Sequence, residues 1–285
     1  MTWAILIPAA VALNGAAAIA ALLHGSVSRD GAIAGFFVGA TIMLAGGFVF
    51  WIMLMVFFVS SSLASRIGPA RKRDLERMHE KGSQRDAIQV LSNGGAAALS
   101  LVAYRITGST AFVVAAGAAL AAATADTWAS ELGVLSGRAP RSVLTWRRLD
   151  PGTSGGVSLL GTFASLVGSA TIALWLGVGF LLMPAGPIWS GQARLAGYLF
   201  DAIGYTFIAG FVACLVDSVM GATVQAQYRM ADGSITERGA SATDASGAAA
   251  PVLTRGLRWV TNDVVNAVTT FGAAAAVAVG WALAQ

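Results

Sequence analysis

The sequence predicts an all-α fold: a polytopic transmembrane helical bundle of about seven spans, with residues 1–285 forming a single integral membrane domain. Three observations predict it. Of 285 residues, 56% are hydrophobic and only 11% charged, with a mean hydropathy of +0.71, whereas soluble domains carry roughly 25% charged residues. The apolar residues gather into seven runs, and about 20 residues suffice to cross a hydrocarbon core. The cations are shared unequally: seven, four and four Lys and Arg follow the second, fourth and sixth runs, while Arg29, Arg105 and Arg194 stand alone in the odd connections. Cytoplasmic loops collect Lys and Arg. The even connections and the N-terminus are therefore expected in the cytoplasm and the C-terminus outside, in a bacterial inner membrane. The net charge of +4 serves topology on this reading, and no nucleic-acid partner is expected.

In chain order, the first run, 2–23, lacks the basic start of a secretory signal and reads as a span. The second, 31–63, is too long for one crossing and must tilt, extend or break near Gly46-Gly47. The cytoplasmic loop 64–87 mixes its cations with Asp74, Glu76, Glu80 and Asp86, which suits a helix continuing below the membrane. Spans at 88–104, interrupted by Asn93-Gly94-Gly95, and at 110–133 follow, then a cytoplasmic loop at 134–155 and spans at 156–182 and 194–220. In the loop 221–258, alternation from Val224 and the pair Asp232-Gly233 predict a small cytoplasmic β-hairpin near 224–238, because Asp-Gly suits a type I′ turn. A flexible linker from Gly239 to Pro251 leads to the last span, 259–284. Cys214 is the single cysteine, which excludes an internal disulfide.

Ionisable groups at membrane depth are costly unless paired, hydrated or metal-bound. Asp126, Glu131, Asp201, Asp217 and Asp263 fall within or beside spans, and all but Asp201 at ends assigned to the cytoplasmic side. Hard carboxylate oxygens gathered at one leaflet suit Mg²⁺, whose octahedron phosphates and water complete. Asp126, Glu131, Asp217 and Asp263 are accordingly the candidate metal ligands and catalytic acids. Asp126 and Glu131 lie about 140° apart on an ideal helix, so their convergence requires the helix to end or unwind near Gly133. Asp217, Gly221 and Gln225 share one stripe if their helix continues. Asn262 and Asn266, spaced four apart around Asp263, and Asn93 are further candidates, although amides at such spacing equally join helices.

The stretch Asp150-Pro-Gly-Thr-Ser-Gly-Gly runs into span five. Lacking Cβ atoms, Gly152, Gly155 and Gly156 let the amides around Thr153 and Ser154 approach an anion, and the following helix start adds its positive end. The plain alternative is a helix start capped by Thr153 or Ser154. Arg141, Arg147 and Arg148 just upstream either complete a phosphate site or mark topology. Neither a Walker Gly-Lys-Ser/Thr, a zinc-type histidine pair nor a Gly-x-Ser-x-Gly elbow occurs.

Five blocks carry a family resemblance: RDAIQVLSNGG at 85–95, ADTWASELG at 125–133, PGTSGGVSLLGTFAS at 151–165, DSVMGATVQ at 217–225 and TNDVVN at 261–266. In this order they resemble a family of multispanning membrane proteins that includes the phytyl-phosphate kinases, and the likeness covers most of the chain after residue 30. The resemblance implies phosphoryl transfer from a nucleoside triphosphate, CTP, to an isoprenyl monophosphate such as phytyl or geranylgeranyl phosphate, giving the diphosphate. It puts the family's acidic motif on Asp126 and Glu131, its glycine motif on Gly152, Thr153, Gly155 and Gly156, and its later polar motifs on Asp217, Asn262, Asp263 and Asn266. A transporter or flippase of a phosphorylated lipid is the rival from another class. Acids gathered at one leaflet and the lack of an inverted repeat count against it. Another Mg²⁺-dependent lipid-phosphate transferase or phosphatase is the third reading. The sequence specifies no particular oligomeric state.

Overall fold

The computed structural model describes residues 3–68, 84–182, 197–230, 233, 235–237 and 251–284. Asp232 of the expected Asp232-Gly233 turn, most of the basic helix predicted over 64–87 and nearly all of the linker from Gly239 lie outside these residues. Among the described residues, seven helices are long and apolar enough to cross a membrane: α1 (Trp3–Leu23), α2 (Arg29–Arg66), α3 (Ala87–Thr107), α4 (Ala111–Gly133), α5 (Leu159–Leu182), α6 (Leu199–Thr223) and α7 (Asn262–Ala284). Two small sheets accompany them. β1 (Arg141–Ser142) pairs antiparallel with β2 (Gly156–Val157), and β3 (Gln227–Arg229) lies between β4 (Ile235–Thr236) and β5 (Val252–Arg255). The expected hairpin is thus two strands of a three-stranded sheet.

The overlong second span breaks at Gly47, whose φ of 73° and ψ of −171° suit glycine alone. The break reverses the chain. Gly39 of the first half packs 3.7 Å from Leu54 of the second, counted from an added Cβ, and Arg66 at the end of α2 donates to the carbonyl of His24 (2.9 Å) and to Ser26 (3.2 Å), just before α2 begins. Each half is about 27 Å long at 1.5 Å per residue, close to the thickness of a hydrocarbon core. The seven helices therefore supply eight crossings. The extra crossing corrects the expected position of the N-terminus. Trp3 stacks under the Arg105 guanidinium at the far end of α3 (5.4 Å), so α1 begins at the end opposite the basic connections and cannot share their side. Arg29 moves to the basic end, and the charge asymmetry becomes sharper.

Helix starts at the basic end are capped. Ser28 accepts from the Gly31 amide (3.3 Å). Asp86 accepts from the Gln89 amide (2.9 Å) while the Gln89 side chain accepts from the Asp86 amide (3.2 Å), a reciprocal capping box that starts α3. Ser158 accepts from Gly161 (3.0 Å) and starts α5. The cap of α5 is therefore neither Thr153 nor Ser154, and β2 separates the glycine turn from the helix.

Helix α4 is buried on all sides from Val113 to Ala125, the mark of a central helix. Its alanines let neighbours approach closely. A Cβ on Gly210 of α6 would stand 2.9 Å from the Ala121 carbonyl carbon, one on Gly168 of α5 would stand 3.2 Å from the Thr124 oxygen, and one on Gly161 would stand 2.9 Å from the Ala129 oxygen. These seams fix the register of α5 and α6 against the half of α4 that carries Asp126.

Candidate active site

Asp126 is five residues beyond Ala121 on α4, and Asp217 is seven beyond Gly210 on α6. Residues seven apart share a helix face, so the seam that seats Gly210 against Ala121 also turns Asp217 toward α4. The two carboxyl groups meet within hydrogen-bonding reach. Oδ2 of Asp217 is buried without a hydrogen-bond partner, as is Oδ1 of Asn266 on α7. Both residues, with Asp126, Asn262 and Asp263, line one cavity of about 680 Å³ at the basic end of the bundle.

The rest of the lining comes from the ends of five helices and the loops between them. Glu131, Gln89, Asn93, Arg85, Arg138, Gln225 and Glu237 all face it, together with the turn from Pro151 to Gly156. Gly152 (φ 83°) and Gly155 (φ 81°) provide the positive φ angles of that turn. The turn is internally bonded: Thr153 N–H donates to the Asp150 carbonyl (3.2 Å) and Gly156 N–H to the Thr153 carbonyl (3.1 Å). These two amides are thus committed to the turn and do not serve an anion in this arrangement.

The three-stranded sheet clamps the turn from the other side. Arg255 on β5 donates to the carbonyls of Gly221 (2.7 Å) and Ser154 (3.3 Å), and the Ser154 hydroxyl donates to Glu237 just after β4. Burial pulls the Arg255 guanidinium below its ordinary pKa, and the Glu237 carboxylate opposes the shift. Gln225 is buried beyond the end of α6, with Nε2 unpartnered. It keeps its place in the lining although the helix ends at Thr223.

Several expected site residues are placed differently. Helix α4 continues through to Gly133 without unwinding, so Asp126 and Glu131 diverge. Glu131 instead accepts from Ser65 (2.7 Å), on the end of α2, and acts electrostatically on Arg85. Asp263 and Glu131 share the cavity, but no group of three His, Cys, Asp or Glu able to hold a metal ion exists among the described residues. Of the four acids, Asp126 and Asp217 are the pair whose carboxyl groups the structure brings together. Arg141, Arg147 and Arg148 are exposed and outside the lining, because the β1–β2 hairpin carries them away and Arg141 donates to the Trp146 carbonyl (2.9 Å). Among the described residues, the cations lining the cavity are Arg138 and Arg85. Burial lowers the Arg85 pKa while Glu131 opposes the shift, and an arginine so shifted still carries its charge at neutral pH.

Residues 12–274 match the family described as "Integral membrane protein DUF92". The chain belongs to this family. Among DUF92 relatives it is 34% identical to Protein PGR of Arabidopsis thaliana over 230 residues, 76% of this chain and 78% of that one. It is 30% identical over 210 residues to an uncharacterized membrane protein of Methanocaldococcus jannaschii, covering 70% and 85% of the two chains. It is 23% identical over 252 residues to Protein VTE6, chloroplastic, of Arabidopsis thaliana, covering 87% of this chain and 63% of that one. No solved structure matches. This is the family that the five motif blocks resemble.

The donor set can be tested against a divalent cation. Two carboxylates in contact repel unless a cation or a proton lies between them, and the orphaned oxygens of Asp217 and Asn266 are hard donors without partners. Mg²⁺ bound by one or two carboxylates keeps its remaining positions for water and phosphate. The residues present fit that ion.

Proposed function

We propose that this DUF92 chain is a membrane-embedded kinase that transfers the γ-phosphoryl group of a nucleoside triphosphate, CTP, to an isoprenyl monophosphate such as phytyl or geranylgeranyl phosphate. The observation that carries the reading is the Asp126–Asp217 pair in a cavity of about 680 Å³, at the end of the bundle that collects the cations. Motif resemblance to the phytyl-phosphate kinases and the likeness to VTE6 support the substrate class. The cation-rich end faces the cytoplasm of a bacterial inner membrane on this reading, in keeping with its charge.

An oxygen of the acceptor phosphate bonds to the γ phosphorus. The bond from that phosphorus to the bridging oxygen breaks, and the nucleoside diphosphate departs with the electron pair. The attacking oxygen is already ionised, so no strong base is needed, and positioning with charge neutralisation carries the reaction. When bound, Mg²⁺ supplies positive charge against the donor phosphates from its place on Asp126 and Asp217. Arg85 and Arg138 offer guanidinium donors to phosphate oxygens, and Gln225 offers its unpartnered amide. The glycine turn, clamped by Arg255, forms the wall facing Asp217.

The test is transfer itself. Purified protein with Mg²⁺, γ-labelled CTP and geranylgeranyl or phytyl monophosphate is expected to give labelled lipid diphosphate, and inverted membrane vesicles should use CTP added from outside. If no common nucleoside triphosphate yields diphosphate while lipid phosphate crosses liposomes, the protein is a transporter and this reading falls.

A further inference from the structure

A second, smaller cavity of about 70 Å³ lies between α1, the two halves of α2 and α3. Its lining is carbon apart from Asn14, Arg85, Gln89 and Asn93. Asn14 is engaged elsewhere, donating to the Ala10 carbonyl (2.8 Å) and accepting from Trp51 (3.1 Å), and Asn93 donates to the Gln89 carbonyl (2.9 Å). A cavity that offers water so few partners is an apolar-ligand site. Ala17, Ala18 and Gly35 in its wall are half-exposed, so it opens sideways between α1 and α2.

Arg85, Gln89 and Asn93 line this slot and the polar cavity alike. Arg85 is fixed at the junction. Its N–H donates to the Ser26 carbonyl (3.1 Å), its carbonyl accepts from Ser28 N–H (3.0 Å), Nη1 donates to Ser62 (2.8 Å), and its guanidinium lies 5.7 Å from the centre of the Phe58 ring in the slot wall. An apolar slot that begins at a guanidinium and opens onto a phosphate-handling cavity matches an amphiphile with a phosphate at one end of a hydrocarbon chain.

We infer that the slot between α1, α2 and α3 seats the segment of the acceptor's isoprenyl chain next to its phosphate, with Arg85 holding that phosphate at the wall shared with the polar cavity. The inference rests on the kinase reading for the acceptor's identity. It assigns opposite sides of one cavity to the two substrates: the acceptor enters along α3, and the nucleotide lies against Asp126, Asp217 and the glycine turn. The slot is short, so the remainder of the chain leaves through the opening between α1 and α2 into the bilayer.

A Cβ built on Gly35, in the slot wall, meets nothing within 4 Å, so Gly35→Leu is the substitution chosen to narrow the slot from α2. Ala18→Leu fills it from α1. Each is expected to raise the KM for geranylgeranyl monophosphate by about tenfold while the KM for CTP stays unchanged, which also shows that the variant is folded. In parallel, an isoprenyl monophosphate bearing a diazirine close to the phosphate should label α1 and α3 beside the slot in the wild type and lose that labelling in both variants. Labelling on α5 or α6 instead, or unchanged KM and labelling in both variants, overturns the slot. Labelling of the slot by a wild type that makes no diphosphate preserves the slot and refutes the kinase reading.

Discussion

Replacing Asp217 by asparagine is expected to lower kcat/KM by about a thousandfold, or about 4 kcal/mol of transition-state stabilisation, without lowering the thermal midpoint. Asparagine keeps the shape and one oxygen of the side chain but removes the charge that a divalent cation requires. Two neighbouring carboxylates with an unpartnered buried oxygen are unfavourable for the bundle alone, so removing one charge relieves repulsion and the metal-free variant should be as stable as the wild type or more so. A stabilised but inactive variant is the signature of a site arranged for function at the expense of stability. If Asp217 were a structural partner of α4, the variant would unfold more easily and keep its turnover. Asp126→Asn should behave in the same way, whereas Glu131→Gln should fall less steeply, since Glu131 is bonded to Ser65.

Gly155→Ala is expected to lower turnover by about a hundredfold and to reduce stability as well. At φ 81° the backbone is in the left-handed region, which costs a residue with a Cβ about 1–2 kcal/mol. The added carbon would also stand 2.6 Å from Cα and N of Ala222 at the end of α6, and these are backbone positions that cannot rotate away. The turn must then lift from α6, which breaks the bond from Val143 N–H to the Gly155 carbonyl (3.0 Å) and loosens Arg255 from Ser154. Gly204→Ala, in the second turn of α6 with nothing within 4 Å of the added carbon, is the comparison and should leave turnover within about twofold of the wild type, as surface changes within about 0.5 kcal/mol imply. Equal losses in the two variants would remove the glycine turn from the site.

The bundle is legible in the sequence because spans declare themselves locally, as apolar runs of fixed length. The break at Gly46-Gly47 is legible for the same reason. What escapes is the direction of the chain after the break. A glycine can bend a helix or reverse it, and only the packing of Gly39 near Leu54 and of Arg66 on His24 decides between them. That reversal moves the N-terminus across the membrane from the place its neighbouring charges suggest.

The site shows the same division. Asp126, Asp217, Asn93, Asn262, Asp263 and Asn266 stand out as polar residues in apolar runs, and all of them line the cavity. Their pairing does not stand out: five residues separate Asp126 from Glu131 and ninety-one separate it from Asp217, yet the partner is the distant one, because the seam of Gly210 on Ala121 sets the helix faces. The arginines mislead in the same manner. Arg141, Arg147 and Arg148 are near the glycine turn along the chain, but a short hairpin turns them outward. Arg85, which reads as one cation among seven in a topogenic loop, is carried into the cavity by the capping box at Asp86 and Gln89. Glu237 and Arg255 reach the turn through a sheet whose third strand follows a long connection, and neither residue carries a local signal.

The central claim is that Asp126 and Asp217 together form a divalent-cation site, and Mn²⁺ as a paramagnetic probe tests it without reference to activity. Titrated into detergent-solubilised protein and followed by electron paramagnetic resonance, the wild type should remove about one equivalent of Mn²⁺ from the free pool, as one carboxylate-held ion requires. Asp126→Asn and Asp217→Asn should each weaken that binding by at least about tenfold, with Mg²⁺ competing for the same site in the wild type. Mn²⁺ binding of unchanged strength in both variants would contradict the account.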